Sequence, residues 1–243
     1  MRLTFIGSGD AFASGGRFQA CILLEGGEEP MLIDCGATTL VALKRARIDP
    51  ASIGYVALSH LHGDHFAGLP WLILDGQFSK RTKPLEVAGP TTTGERVEQT
   101  FEALYPGTAE VDRAFPTTFT DLSEEMPARF GPARITAFEV AHSSGAPSYA
   151  LRLEYADKVI AYSGDTEWTD ALVDLTRDTD LFVCECNFFE RKGPGHMDYR
   201  TLVEKRPQLG ADRIVLTHMN EEMLSHLGEV EFETASDGAV IEL

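Results

Sequence analysis

The chain has 243 residues, enough for one sizeable α/β or all-β domain, and no Pro/Ser-rich tract offers a linker to a second, so a single domain over residues 1–243 is expected. Its 38 Asp and Glu against 21 Lys and Arg give a formal charge of −17, which repels phosphate backbones and disfavours non-specific nucleic-acid binding. A hydrophobic fraction of 43% and a charged fraction of 24% exclude disordered and fibrous classes and predict a packed core.

Too few apolar residues precede Gly7 for a secretory signal, and the longest nearly apolar run, residues 66–74, falls far short of a bilayer span. A soluble, cytoplasmic chain without membrane contact is expected. Short apolar runs rich in β-branched residues predict strands at residues 2–6, 19–24, 30–33, 54–58, 85–88, 134–140, 148–153, 158–162, 181–184 and 213–216. Helical patterns fall at residues 38–45, 92–104, 169–175 and 199–205; in the second, Thr92 and Glu95 form a capping-box pattern, and Val97, Phe101 and Leu104 share a face. Strands in hairpin-like succession and strands alternating with helices both occur. That mixture suits two mixed sheets packed face to face, with helices outside, better than a doubly wound parallel sheet. Residues 229–243 read as a final hairpin, 230–234 with 239–243, turning at Ser236-Asp237-Gly238. Cys21, Cys35, Cys184 and Cys186 are expected as reduced thiols, the last two packed on one face of a strand near the site.

The chemistry concentrates in Ser59-His60-Leu61-His62-Gly63-Asp64-His65, which follows the apolar strand at 54–58. The strand end puts His60 and His62 on one side, and a tight turn at Gly63 can swing Asp64 and His65 toward a second point, so two adjacent metal ions could share the loop. One loop cannot complete two coordination spheres. Further ligands stand just beyond three other predicted strands: His142 after 134–140, Asp165 after 158–162, and His218 after 213–216. Singly, each reads as a cap or turn residue; together with the first loop they form a metal-ligand constellation. His226 has no evident partner and is expected at the surface, while Phe66, Trp71 and Ile73 are expected in the core.

These motifs resemble the metallo-β-lactamase superfamily, in the branch of the tRNA 3′-processing endonucleases (ribonuclease Z) and cyclic-phosphate phosphodiesterases. The resemblance runs from Ile6-Gly7-Ser8-Gly9-Asp10 through Leu32-Ile33-Asp34-Cys35-Gly36, the segment from His60 to Pro70, Ser163-Gly164-Asp165-Thr166 and Leu216-Thr217-His218 to Ala235-Ser236-Asp237-Gly238. It implies an α/β fold, the four-layer αββα sandwich of two mixed β-sheets flanked by helices. It also implies two divalent metal ions, Zn²⁺ with Mn²⁺ or Fe as alternatives. His60, His62 and His142 would hold one, Asp64, His65 and His218 the other, and Asp165 would bridge them. Two such cations about 3.5–4 Å apart share a hydroxide formed near neutral pH, with Asp64 as ligand and general base. His196, in Gly193-Pro194-Gly195-His196 before the helix at 199–205, matches a phosphate-contacting His that can protonate the leaving oxygen, and a helix N-terminus beside an imidazolium suits an anion.

The chain departs from the tRNA-processing members in three places. Cys184-Glu185-Cys186-Asn187 stands where they carry His-Glu-Ala-Thr, so only Glu185 matches; Met197-Asp198 replaces Ser-Thr after His196; and only residues 143–164 separate His142 from Asp165, which leaves no room for the long arm that grips tRNA. The expected activity is a dinuclear phosphodiesterase on a small or cyclic phosphate ester, with a small-molecule phosphate ester as partner, nucleic acid less favoured, and a homodimer implied by the resemblance. A tRNA 3′-processing endonuclease, a lactone or thioester hydrolase, and a metal-binding scaffold without turnover remain as alternatives.

Overall fold

The computed structural model describes residues 1–108, 111–124 and 127–243. Its first sheet is built from β1 (Arg2–Gly7), β2 (Cys21–Glu25), β3 (Met31–Ile33), β4 (Tyr55–Ala57), β5 (Leu85–Gly89), β6 (Thr117–Asp121) and β14 (Val240–Glu242), in the order β14-β1-β2-β3-β4-β5-β6. The second contains β7 (Ala128–Phe130), β8 (Ala133–Glu139), β9 (Tyr149–Tyr155), β10 (Lys158–Tyr162), β11 (Leu181–Glu185), β12 (Ile214–Thr217) and β13 (Glu233–Thr234), in the order β13-β12-β11-β10-β9-β8-β7. Both sheets are mixed. β3 to β6 run parallel in one and β10 to β13 in the other.

Alternate residues explain the layering. On β2, Ile22 and Leu24 join Leu3, Phe5, Leu151, Leu153 and Val183 between the sheets, while Cys21 and Leu23 face outward. The outer face of the first sheet is covered by α1 (Thr39–Arg45), α3 (Leu69–Phe78) and α4 (Thr93–Leu104) through Leu43, Leu72, Val97 and Phe101. The second is covered by α5 (Ala171–Leu175), α6 (Tyr199–Lys205) and α7 (Glu221–Ser225) through Leu172, Leu202 and Met223. With both faces of each sheet buried, the strands read as continuous apolar runs instead of polar/apolar alternation. The expected αββα sandwich is what forms.

Several local expectations change. The apolar run at 66–74 hides most of α3, because a segment apolar on every side shows no helical period, and α2 (Gly63–Phe66) ends where that run begins. β6, whose residues are half or fully exposed, and the three-residue β7 carry too little hydrophobic pattern to stand out. Thr92 makes no side-chain cap and sits at φ +72°; the neighbouring Thr93 hydroxyl donates to Pro90 O instead, so the capping box is not used. The terminal hairpin is also overturned, since β13 pairs with β12 and β14 with β1, in different sheets. The segment between them crosses the sandwich: Ala235 N donates to Leu216 O and Gly238 N to Phe5 O, and Asp237 accepts from Ser8 N, Ser8 Oγ and Phe18 N.

Candidate metal centre

The carboxyl ends of β4, β8, β10 and β12 lie at one edge of the sandwich, and the chain past each end delivers one part of the centre. After β4, His60 and His62 extend from the strand and His62 becomes the N-terminal flank of α2, which carries Asp64 and His65. A helix onset at Gly63, in place of the expected tight turn, therefore reverses the direction of the loop. The loop packs very closely on the end of β3, and this needs glycine: a Cβ on Gly36 would stand 2.2 Å from Asp64 O, and one on Gly68 2.2 Å from Gly36 O.

All seven sequence-predicted ligands converge, in two groups that share Asp165: His60, His62, His142 and Asp165; and Asp64, His65, Asp165 and His218. In the second group His65 Nε2 lies 3.3 Å from His218 Nε2, Asp64 Oδ2 and Asp165 Oδ1, while His218 Nε2 lies 3.1 Å from Asp64 Oδ2 and 3.5 Å from Asp165 Oδ1. In the first, Asp165 Oδ2 lies 3.7 Å from His60 Nε2 and 3.9 Å from His142 Nε2, and His142 Nε2 is 2.9 Å from His62 Nδ1. Asp165 thus turns one oxygen to each group.

This donor set fits cations. Ligand atoms about 2.0–2.2 Å from a common tetrahedral ion stand roughly 3.3–3.6 Å apart, close to the spacing of the second group. Buried His60 Nε2 and Asp165 Oδ1 have no hydrogen-bond partner among the described residues, a costly state that a cation would relieve. Outer contacts fix the rings. His65 Nδ1 donates to Asp34 Oδ2 at 2.7 Å, His142 Nδ1 to Gly195 O at 2.7 Å, and His60 Nδ1 to Ser59 Oγ at 3.0 Å, so each ring turns its other nitrogen inward. Asp34 is fully buried and also accepts from Ser59 N, Ser59 Oγ and Tyr162 OH. Asp34 and His218 both hold a left-handed backbone, φ +58° each, a strain found where the surroundings dictate the conformation.

The local field differs between the two groups. Burial lowers the pKa of His60, His62 and His142, leaving neutral imidazoles suited to ligation. Burial also opposes protonation of His218, but the charge of Asp165 and the hydrogen bond that His218 donates to Asp64 raise its pKa to about 9. A cation there would displace protons.

His196 stands at the rim, with Nδ1 3.0 Å from Glu185 Oε1. Burial disfavours its charged form, yet the hydrogen bond and charge of Glu185 raise its pKa overall. Glu185 is 1% exposed and also accepts from Thr166 N and Asn187 N. In the sequence Glu185 stands out only as a matching residue and Asp34 has no role of its own; an acid ending or interrupting an apolar strand is the signal that marks both. Cys184 and Cys186 are buried, free thiols in the outer helical layer, the opposite face of β11 from Glu185. Phe66 and Ile73 lie in the core as expected, and half-buried Trp71 packs edge-on against Tyr105. His226 does have a partner, stacking on Phe189 with ring centroids 4.1 Å apart.

A cleft of about 480 Å³ opens onto the centre, lined by His62, Asp64, Asp165, His196 and His218 and, further out, by Asp10, Phe12, Asn187, Phe188, Arg191, Asn220, Glu221 and Glu222. Among the described residues no helix is long and apolar enough to cross a membrane.

A ribonuclease Z from Methanococcus maripaludis is 34% identical over 155 residues, 63% of this chain; the match spans about half (49%) of that protein's length. The metallo-beta-lactamase fold protein YhfI from Bacillus subtilis superposes with a TM-score of 0.79 at 24% identity, covering 100% of this chain and 99% of its own. The short form of human tRNase Z superposes with a TM-score of 0.80, also at 24% identity, over 100% of this chain and 99% of its own. These two structures carry the fold. A family profile described as Anti-Pycsar protein Apyc1 matches residues 1–236, so the chain belongs to that family, built on the metallo-β-lactamase fold.

Proposed function

We propose that the chain is a metal-dependent hydrolase, specifically a phosphodiesterase acting on a small or cyclic phosphate ester. The observation that carries the reading is His196, hydrogen-bonded to buried Glu185 at the rim of a seven-residue His/Asp cluster. His60, His62 and His142 would hold one divalent cation and Asp64, His65 and His218 the other, with Asp165 shared between them; zinc is the first choice, manganese or iron the alternatives. Bound there, such ions supply Lewis acidity toward a phosphoryl oxygen and a water that ionises near neutral pH.

The protein's own groups do the rest. Asp64 has Oδ2 engaged with His218, so its other oxygen is the one available to orient the attacking water and take its proton. His196 has Nδ1 committed to Glu185, which leaves Nε2 to hold the phosphate and protonate the departing alkoxide. Among the described residues Arg191 is the only Lys or Arg lining the cleft, and beyond the ligand residues Asp64 and Asp165 it shares the cleft with Asp10, Glu221 and Glu222. One cation among three carboxylates suits a singly charged ester better than a polyanion, whose affinity grows with the number of cationic contacts.

Precursor-tRNA cleavage is the second reading, supported by the relatives named ribonuclease Z. Protein loaded with two equivalents of Zn²⁺ or Mn²⁺ should hydrolyse cyclic phosphates or simple diesters in preference to precursor tRNA and lactones. Inertness toward every phosphodiester in a broad panel overturns the first reading, and efficient tRNA processing at ordinary salt establishes the second.

A further inference from the structure

Phe12 is 90% exposed, an unusual state for a large apolar ring, and it lines the same cleft as Asp64, Asp165 and His196. Its loop is held in place. The buried Asp10 carboxylate accepts from Phe12 N at 3.2 Å, Ser14 N at 2.9 Å and Ser14 Oγ at 2.7 Å, and Gly15 N donates to Glu221 Oε1 at 2.8 Å. Ala13, Gly15 and Gly16 all carry positive φ, so the backbone follows a sharp path that those bonds sustain. Asp10 thereby fixes the base of the loop and leaves the ring at its tip in water. Also lining the cleft, the Arg191 guanidinium carbon lies 4.3 Å from the ring centroid of Phe188, and Phe188 is buried beneath it. A guanidinium resting on an aromatic ring is a second planar surface, one that carries charge. Phe78, the other strongly exposed phenylalanine, does not line this cleft.

We infer that Phe12, with Arg191 seated on Phe188, forms a specificity subsite for a planar aromatic or heteroaromatic substituent on the phosphate ester. The inference rests on the phosphodiesterase reading and adds which esters that site selects. Stacking on Phe12 would shield the ring from water, and Arg191 would offset the negative charge of the phosphate carried beside it.

The test uses two diesters with the same leaving group, 4-nitrophenyl phenyl phosphate and 4-nitrophenyl methyl phosphate, which differ only in the substituent retained on phosphorus. The metal-loaded protein should favour the phenyl ester by about fivefold or more in kcat/KM, the range of one aromatic contact. Phe12→Ala should bring that ratio to within about twofold of one, and Phe12→Tyr should preserve it. If both esters are cleaved and the ratio is the same in wild type and Phe12→Ala, the subsite is wrong while the phosphodiesterase reading stands. If neither is cleaved, both fall together. Light scattering on the same variant covers the competing role: a drop in mass with the ratio unchanged assigns Phe12 to contact with a second copy and overturns the inference.

Discussion

Glu185→Gln isolates the role given to His196 because it keeps the shape of the side chain and removes its charge. Oε1 accepts from Thr166 N at 2.7 Å and His196 Nδ1 at 3.0 Å, and Oε2 accepts from Asn187 N at 3.2 Å. All three partners are donors, so either orientation of the glutamine amide sets its NH₂ against an N–H. A charged acceptor is worth about 1–1.5 kcal/mol more than a neutral one at such a contact. At 1.36 kcal/mol per factor of ten, protonation of a poor leaving group should slow by roughly tenfold. A 4-nitrophenolate departs without a proton, so a 4-nitrophenyl ester should lose far less than an ester with an alkoxide leaving group. Glu185 also keeps His196 protonated to higher pH, so activity that needs the imidazolium should fail at lower pH in the variant. The assay is kcat against pH for both esters. Equal losses for the two leaving groups, or an unmoved alkaline limb, would refute the assignment of His196 as the acid.

Asp165→Ala removes the one carboxylate shared by both ligand groups; turnover should fall to background and metal content per chain should drop, and retention of both refutes the bridging role. Asp34→Asn disturbs a buried acceptor of four hydrogen bonds, which should cost roughly 2–3 kcal/mol and lower Tm by about 5–10 °C in calorimetry. Because His60 Nε2 and Asp165 Oδ1 are orphaned inside the centre, Zn²⁺ at 100 times its Kd should stabilise the folded chain by about 2.7 kcal/mol, an increase in Tm that a chelator reverses. Asp180 is held below its ordinary value of 3.8 by hydrogen bonds from Lys158 Nζ and Val159 N. A depressed pKa stabilises the fold above that ordinary value and ceases to do so as pH falls through the folded one. Asp180→Asn should therefore cost about 0.5–1 kcal/mol at pH 7 in denaturant melts, and the difference should vanish in acid.

The metal-ligand loop was legible because its chemistry is local. His60, His62, Asp64 and His65 lie within six residues at the end of an apolar strand, and that spacing alone implies convergence. His142, Asp165 and His218 could be read for a related reason, since each follows a strand pattern and parallel strands in α/β layers collect their carboxyl ends at one edge. The same apolar runs dictated the sandwich.

What only the tertiary structure decided are the pairings that join distant parts of the chain. Asp34 meets Tyr162 across 128 positions, and Asp64 meets His218 across 154. Residues 230–243 carry a good local hairpin pattern, yet β13 and β14 extend different sheets, because each finds an open strand edge and a share of the core that pairing with the other would not provide. Phe12 illustrates the same limit: nothing in its neighbours says that an apolar ring will stay in water, and it does so because Asp10 and Glu221 secure the loop from below. Sequence sets which side chains can bind a cation or fill a core, while burial and backbone hydrogen bonding across the whole molecule choose among the partners that local pattern leaves open.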